Sequence, residues 1–314
     1  MKTSHRMRLL AIGMSTLVVA ISLAAPPASA GEYPVDPSLG PNPCEGVRSA
    51  AAQAPGPSGT ELKRLTWWLG TPITDGHGYT ITPRDAAYFL ITPQQLANWR
   101  NRTAPLTMTA AEYGEFSKEI YAAMAADGLD GRVDVRMSGS GAKFWSNPTK
   151  AMPYDAETAA AVYTSYAGKW PSSQWCRVIA KRFAEWLGPE NVGNPSAVPR
   201  FRPFNSLRVM GITPEPSDVD LTIASDQLAR NSAVKCIELA LPYCQHPRYD
   251  FYNRLAVAAA MPHTEAVMKA WTDRKQIPFT FAGFDLAGPP NTISHYRATD
   301  WAVMTPCEGS FCSG

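Results

Sequence analysis

A chain of 314 residues, 45% of them apolar, is long enough for one large domain or for a domain with an appended lobe. A formal charge of +2 leaves no global nucleic-acid footprint. There is no internal repeat, and no hydrophobic span follows the N-terminus.

The N-terminus reads as a targeting segment. Lys2, His5, Arg6 and Arg8 form a basic start, Leu9 to Ala25 is an apolar run, and Ala28-Ser29-Ala30 is a small-x-small cleavage site. Residues 1–30 are therefore expected to be a signal peptide, the mature chain to begin at Gly31, and the product to be secreted with no membrane anchor. Residues 31–60, rich in Pro, Gly and Ala, read as an extended arm. A helical extension follows over 61–130. Thr82-Pro83 and Thr92-Pro93 each place Pro behind a capping Thr, and Thr109 with Glu112 forms a capping box. Tyr113, Phe116, Ile120, Tyr121 and Met124 recur at helical spacing, with Gly128 as the stop.

Positions 131–306 read as a catalytic-type core, followed by a Cys-containing tail at 307–314. Arg132–Met137 alternates as a strand and runs into Ser138-Gly139-Ser140-Gly141, with Ala142-Lys143-Phe144-Trp145 opening a short helix. A small-residue turn of this kind lets backbone N–H groups approach an anion. An insertion at 150–205 carries a helix capped by Ser172 or Ser173, striped by Trp175, Val178, Ile179, Phe183, Trp186 and Leu187, and ended by Gly188. Arg202, within Arg200-Phe201-Arg202-Pro203-Phe204, and Arg208 offer guanidinium forks suited to phosphate oxygens. Pro216–Ile223 then alternates with period two. Val219, Leu221 and Ile223 face a core, and Asp218 and Asp220 project together on the other side. Two carboxylates held side by side repel unless a cation lies between them, and such a pair suits Mg²⁺.

Downstream, Cys236–Leu241, Arg254–Met261 and Thr264–Trp271 look helical. Ile277–Asp285 reads as a strand that Pro278 sends to an edge, and His295–Met304 as a last strand carrying Asp300. Six cysteines (Cys44, Cys176, Cys236, Cys244, Cys307, Cys312) in an exported chain point to three disulfides. Fifteen connectivities are open. Cys236 with Cys244 and Cys307 with Cys312 are the local pairs, which leaves Cys44 with Cys176. A zinc site on Cys236, Cys244 and His246 is the rival, without a second ligand pair at finger spacing. Ser140 lacks the outer glycines of a hydrolase nucleophile turn, and His295 is expected to be structural.

A strand ending in Gly139-Ser140, followed by a strand bearing Ser217-Asp218-Val219-Asp220, resembles the polymerase β-like nucleotidyltransferases, closest in look to their bacterial toxin-type branch. The likeness spans roughly positions 131–285, with some seventy residues between the two motifs where the family usually has one or two dozen. It implies an α/β fold: a mixed sheet flanked by helices, carrying the helical N-terminal extension and the insertion. It further implies that Gly139 and Ser140 hold a nucleoside triphosphate, with Lys143, Arg202 or Arg208 as charge partners. Asp218, Asp220 and a third carboxylate, Asp285 or alternatively Asp300, would hold two Mg²⁺ ions. The implied reaction moves a nucleotidyl group to an acceptor hydroxyl on tRNA, another nucleic acid or a protein, as a secreted toxin or effector would. The alternative is an extracellular binding module on an inactive scaffold of the same kind.

Overall fold

The computed structural model describes residues 35–47, 71–129, 131–146, 150–247, 249–289 and 300–303. The signal peptide, most of the arm, His295 and the Cys307–Cys312 pair lie outside them.

Side-chain caps start most of the helices. Thr82, Thr92 and Thr109 close capping boxes with Asp85, Gln95 and Glu112, starting α1 (Pro83–Tyr88), α2 (Pro93–Arg100) and α3 (Ala110–Ala126). β1 (Asp134–Ser138) follows α3 and runs into the four-residue α4 (Ser140–Lys143). The insertion contributes α5 (Ala156–Ala167), begun by an Asp155–Thr158 capping box, and α6 (Ser173–Leu187), capped by Ser172. The short α7 (Ser206–Val209) leads to β2 (Val219–Ala224). Then come α8 (Asp226–Glu238), α9 (Arg254–Ala260), α10 (Pro262–Lys275), β3 (Phe279–Phe284) and β4 (Trp301–Ala302).

The sheet is mixed, in the order β3-β2-β1-β4, with β1 antiparallel to β2 and to β4, and β3 parallel to β2. Among the described strands β3 is at an edge, where Pro278 costs no ladder bond. Val135, Met137, Val219, Leu221 and Ile223 are buried on one face with α3 and α10. Helix α3 lies along α10: Trp271 Nε1 donates to Glu119 at 2.6 Å, and Lys275 and Arg274 pair with Glu112 and Glu115. Asp127, at the end of α3, accepts from the backbone N–H groups of His263 and Thr264, satisfying two donors at the start of α10.

A second core gathers α1, α2, α5 and α6 around Phe89, Phe183 and Trp186. The Cys44–Cys176 disulfide pins the 35–47 segment onto α6, and Cys236–Cys244 closes the loop after α8. The zinc reading therefore fails, since both of its cysteines are bonded to each other. Helix α5, built largely of alanines, carries no heavy apolar stripe to mark it in the sequence. Helix α8 begins ten residues before Cys236, behind the capping Ser225. Val178, placed in the apolar stripe of α6, is exposed.

No helix among the described residues is long and apolar enough to cross a membrane. Two disulfides are compatible with an extracellular protein.

Candidate ligand and metal site

The site sits where the loop after β1 meets the start of β2. Gly139 adopts φ 80°, ψ 178°, a backbone region essentially restricted to glycine. A Cβ at this position would stand 3.7 Å from Asp220 Oδ2 and 3.8 Å from Asp218 Oδ1, so the chain turns directly in front of both carboxylates. Ser140 Oγ shares a hydrogen bond of 2.8 Å with Ser217 Oγ. Ser217 is in turn latched to Asn205: the Asn205 N–H donates to Ser217 Oγ, and the Ser217 N–H donates to Asn205 Oδ1. These bonds fix the residue before Asp218 against both the glycine turn and the start of α7. Sequence reasoning quoted Ser217 in a motif without giving it this role, and missed Asn205 altogether.

Asp220 is half-buried and accepts from Thr280 Oγ1 at 2.7 Å. Burial first, and then the charge of Asp218, push its carboxyl up to about 6, while the Thr280 hydroxyl, Lys150 and Arg254 pull the other way. Neither carboxylate makes an ion pair with a described basic side chain. In front of them opens a cavity of about 240 Å³, whose lining includes Gly139, Ser140, Lys150, Arg202 and Arg208. Arg202 is buried and anchored through Nε to the Ala151 carbonyl at 2.9 Å; burial lowers its guanidinium to about 10, so it stays charged at neutral pH. Anionic and cationic groups thus face one small polar cavity.

Three expected site residues do not join this constellation. Asp285 follows β3, and the parallel register sets Thr280 beside Asp220. Asp285 lies five residues farther along, roughly 16 Å at strand rise, and its carboxylate accepts from the Ala287 N–H in a turn. Asp300 falls beside Ser138, two strands from Asp220, about 10 Å across the sheet. Its side chain is fully buried and ion-paired with Lys143, which removes Lys143 from the cavity as well. The positions flanking Asp220 in the sheet are thus Thr280 and Ser138, both hydroxyls. No third Asp, Glu, His or Cys among the described residues completes a metal-holding group.

No known family model, characterised protein or solved structure matches the chain. Two carboxylates that converge on the glycine turn without an ion pair to a described basic side chain, one of them raised by burial and then by the other's charge, fit a hard divalent cation such as Mg²⁺. Mg²⁺ takes one or two protein carboxylates and fills its shell with water and phosphate oxygens.

Proposed function

We propose that the cavity binds a Mg²⁺-chelated nucleoside polyphosphate, and that the chain is an exported, disulfide-bearing binding module on a nucleotidyltransferase-like scaffold. Asp218 and Asp220 hold the metal. The Gly139–Ser140 turn and the guanidinium groups of Arg202 and Arg208 receive the phosphates. The observation that carries this reading is the pair of hydroxyl residues, Thr280 and Ser138, in the sheet positions on either side of Asp220. Two-metal transfer holds its ions about 4 Å apart as a clamp on the attacking and leaving oxygens. Two carboxylates suffice for one ion bridged to phosphate and leave a second ion without a fixed ligand set.

A second reading, nucleotidyl transfer by a delivered toxin, is favoured by the convergence of Asp218, Asp220 and Gly139 on one point. A target cytoplasm would supply both ATP and Mg²⁺. One experiment separates the two. The oxidised protein is incubated with labelled triphosphates, Mg²⁺ and a total cell extract, and non-covalently retained label is measured alongside label incorporated into macromolecules. Retention without incorporation is the expected result. Incorporation abolished by Asp218→Asn establishes transfer instead, and neither retention nor incorporation refutes both readings.

A further inference from the structure

A second cavity, of about 740 Å³, opens beside the first, and Tyr166, Arg208, Thr213 and Glu215 line both. The two are therefore adjoining compartments with a shared wall. The second is of the size that takes a drug-like ligand, and it differs from the first in chemistry: Tyr163, Ile212, Pro214 and Ala167 contribute aromatic and aliphatic surface. Tyr163 and Tyr166 stand three apart on α5 and so share a helix face. Tyr166 as a whole residue is 54% exposed.

The opposite wall is built with care. Gly211, at φ 71°, has no side chain where a Cβ would stand 2.2 Å from Arg182 Nη1, so the guanidinium lies across its backbone. Arg182 Nη1 donates to the Val209 carbonyl at 3.3 Å, and Trp175 Nε1 donates to the Gly211 carbonyl at 3.2 Å. Tyr163 packs on Trp175 with ring centroids 5.2 Å apart. Any side chain at position 211 would displace Arg182 from the wall of the second cavity.

Resting on the polyphosphate reading of the first cavity, we infer that the second cavity is the nucleobase subsite, with Tyr166 as the stacking platform at the junction. A flat aromatic ring suits a base because every base presents a π-face, and the arginines of this cavity add planar cations of the kind that stack on bases. The phosphates then lie on the Asp218 side of Tyr166 and the base on the Arg182 side. The substrate class is a nucleotide, and not a bare polyphosphate or a sugar phosphate.

The test compares Mg²⁺-ATP with Mg²⁺-tripolyphosphate by calorimetry on the oxidised full chain. ATP is expected to bind at least about tenfold more tightly, the range that base–aromatic stacking supplies. Tyr166→Ala is expected to bring the ratio of ATP to tripolyphosphate affinity close to one, whatever its effect on tripolyphosphate alone, because Tyr166 lines both cavities, while Tyr166→Phe retains the ratio. Equal affinities of the two probes, or full ATP affinity in Tyr166→Ala, overturn the base subsite and leave the phosphate site standing. Failure of both probes to bind the wild-type chain refutes the polyphosphate reading itself, and the subsite with it.

Discussion

Removing one negative charge from the carboxylate pair should make the apo protein more stable at neutral pH, the opposite of most changes at half-buried polar sites. The Asp220 carboxyl stands at about 6 against an ordinary 3.8, raised by burial and then by Asp218. At about 1.36 kcal/mol per pH unit, this rise represents up to roughly 3 kcal/mol of destabilisation at pH 7. The sign follows from the direction of the rise: the folded state holds the proton more tightly than the unfolded chain does. Stability from this group is complete below about pH 4 and is lost as the pH climbs through about 6. Asp220→Asn removes the charge but weakens the 2.7 Å hydrogen bond from Thr280, a loss of about 1 kcal/mol. The net gain is about 2 kcal/mol, which for a chain of this size raises Tm by roughly 3 °C. Thermal melts of both oxidised proteins at pH 7 and pH 4, in chelator, check this. The variant should be the more stable at pH 7 and lose its advantage at pH 4. A variant less stable than wild type at pH 7, or an advantage independent of pH, would refute the account of a carboxylate raised by burial and by its neighbour.

Three other outcomes are expected. Gly139→Ala meets ordinary contact distances but must hold φ 80°, so about 1–2 kcal/mol of strain should appear as lost stability, with weaker Mg²⁺-ATP binding in calorimetry. Cys44→Ala/Cys176→Ala, which opens a closure spanning 132 residues, should cost about 2 kcal/mol more in urea unfolding than Cys236→Ala/Cys244→Ala, which spans 8. Gly211→Ala should displace Arg182 and lower ATP affinity while leaving tripolyphosphate affinity intact, again read by calorimetry.

Much of the local structure was legible in the chain because it depends on residues within a turn of one another. The Thr82, Thr92 and Thr109 boxes and the Ser172 cap begin helices where their spacing says they should. The alternation around Asp218 and Asp220 gave the right buried face, with Val219, Leu221 and Ile223 all inside. What failed to show was set by pairing between distant segments. Asp285 ends a strand, as a third carboxylate should, but β3 runs parallel to β2, so its end lies far from the start of β2 where the Asp pair sits. Lys143 stands beside the glycine turn in sequence, and only the arrival of β4 reveals that Asp300 engages it. Tyr166 and Asn205 reach the site from the insertion, and no local pattern marks either. Helix α5 was hidden because its alanines bury well without forming a heavy apolar stripe.

The central claim, one metal held by two carboxylates and not two held by three, is tested most directly by counting ions. Crystals of the oxidised protein grown with Mn²⁺ in place of Mg²⁺ and a non-hydrolysable nucleoside triphosphate would show each metal by its anomalous scattering. The account predicts a single peak between Asp218 and Asp220, with phosphate oxygens completing its shell at the Gly139–Ser140 turn. Two peaks about 4 Å apart would contradict it and restore two-metal transfer; no peak at the pair would contradict the metal site altogether.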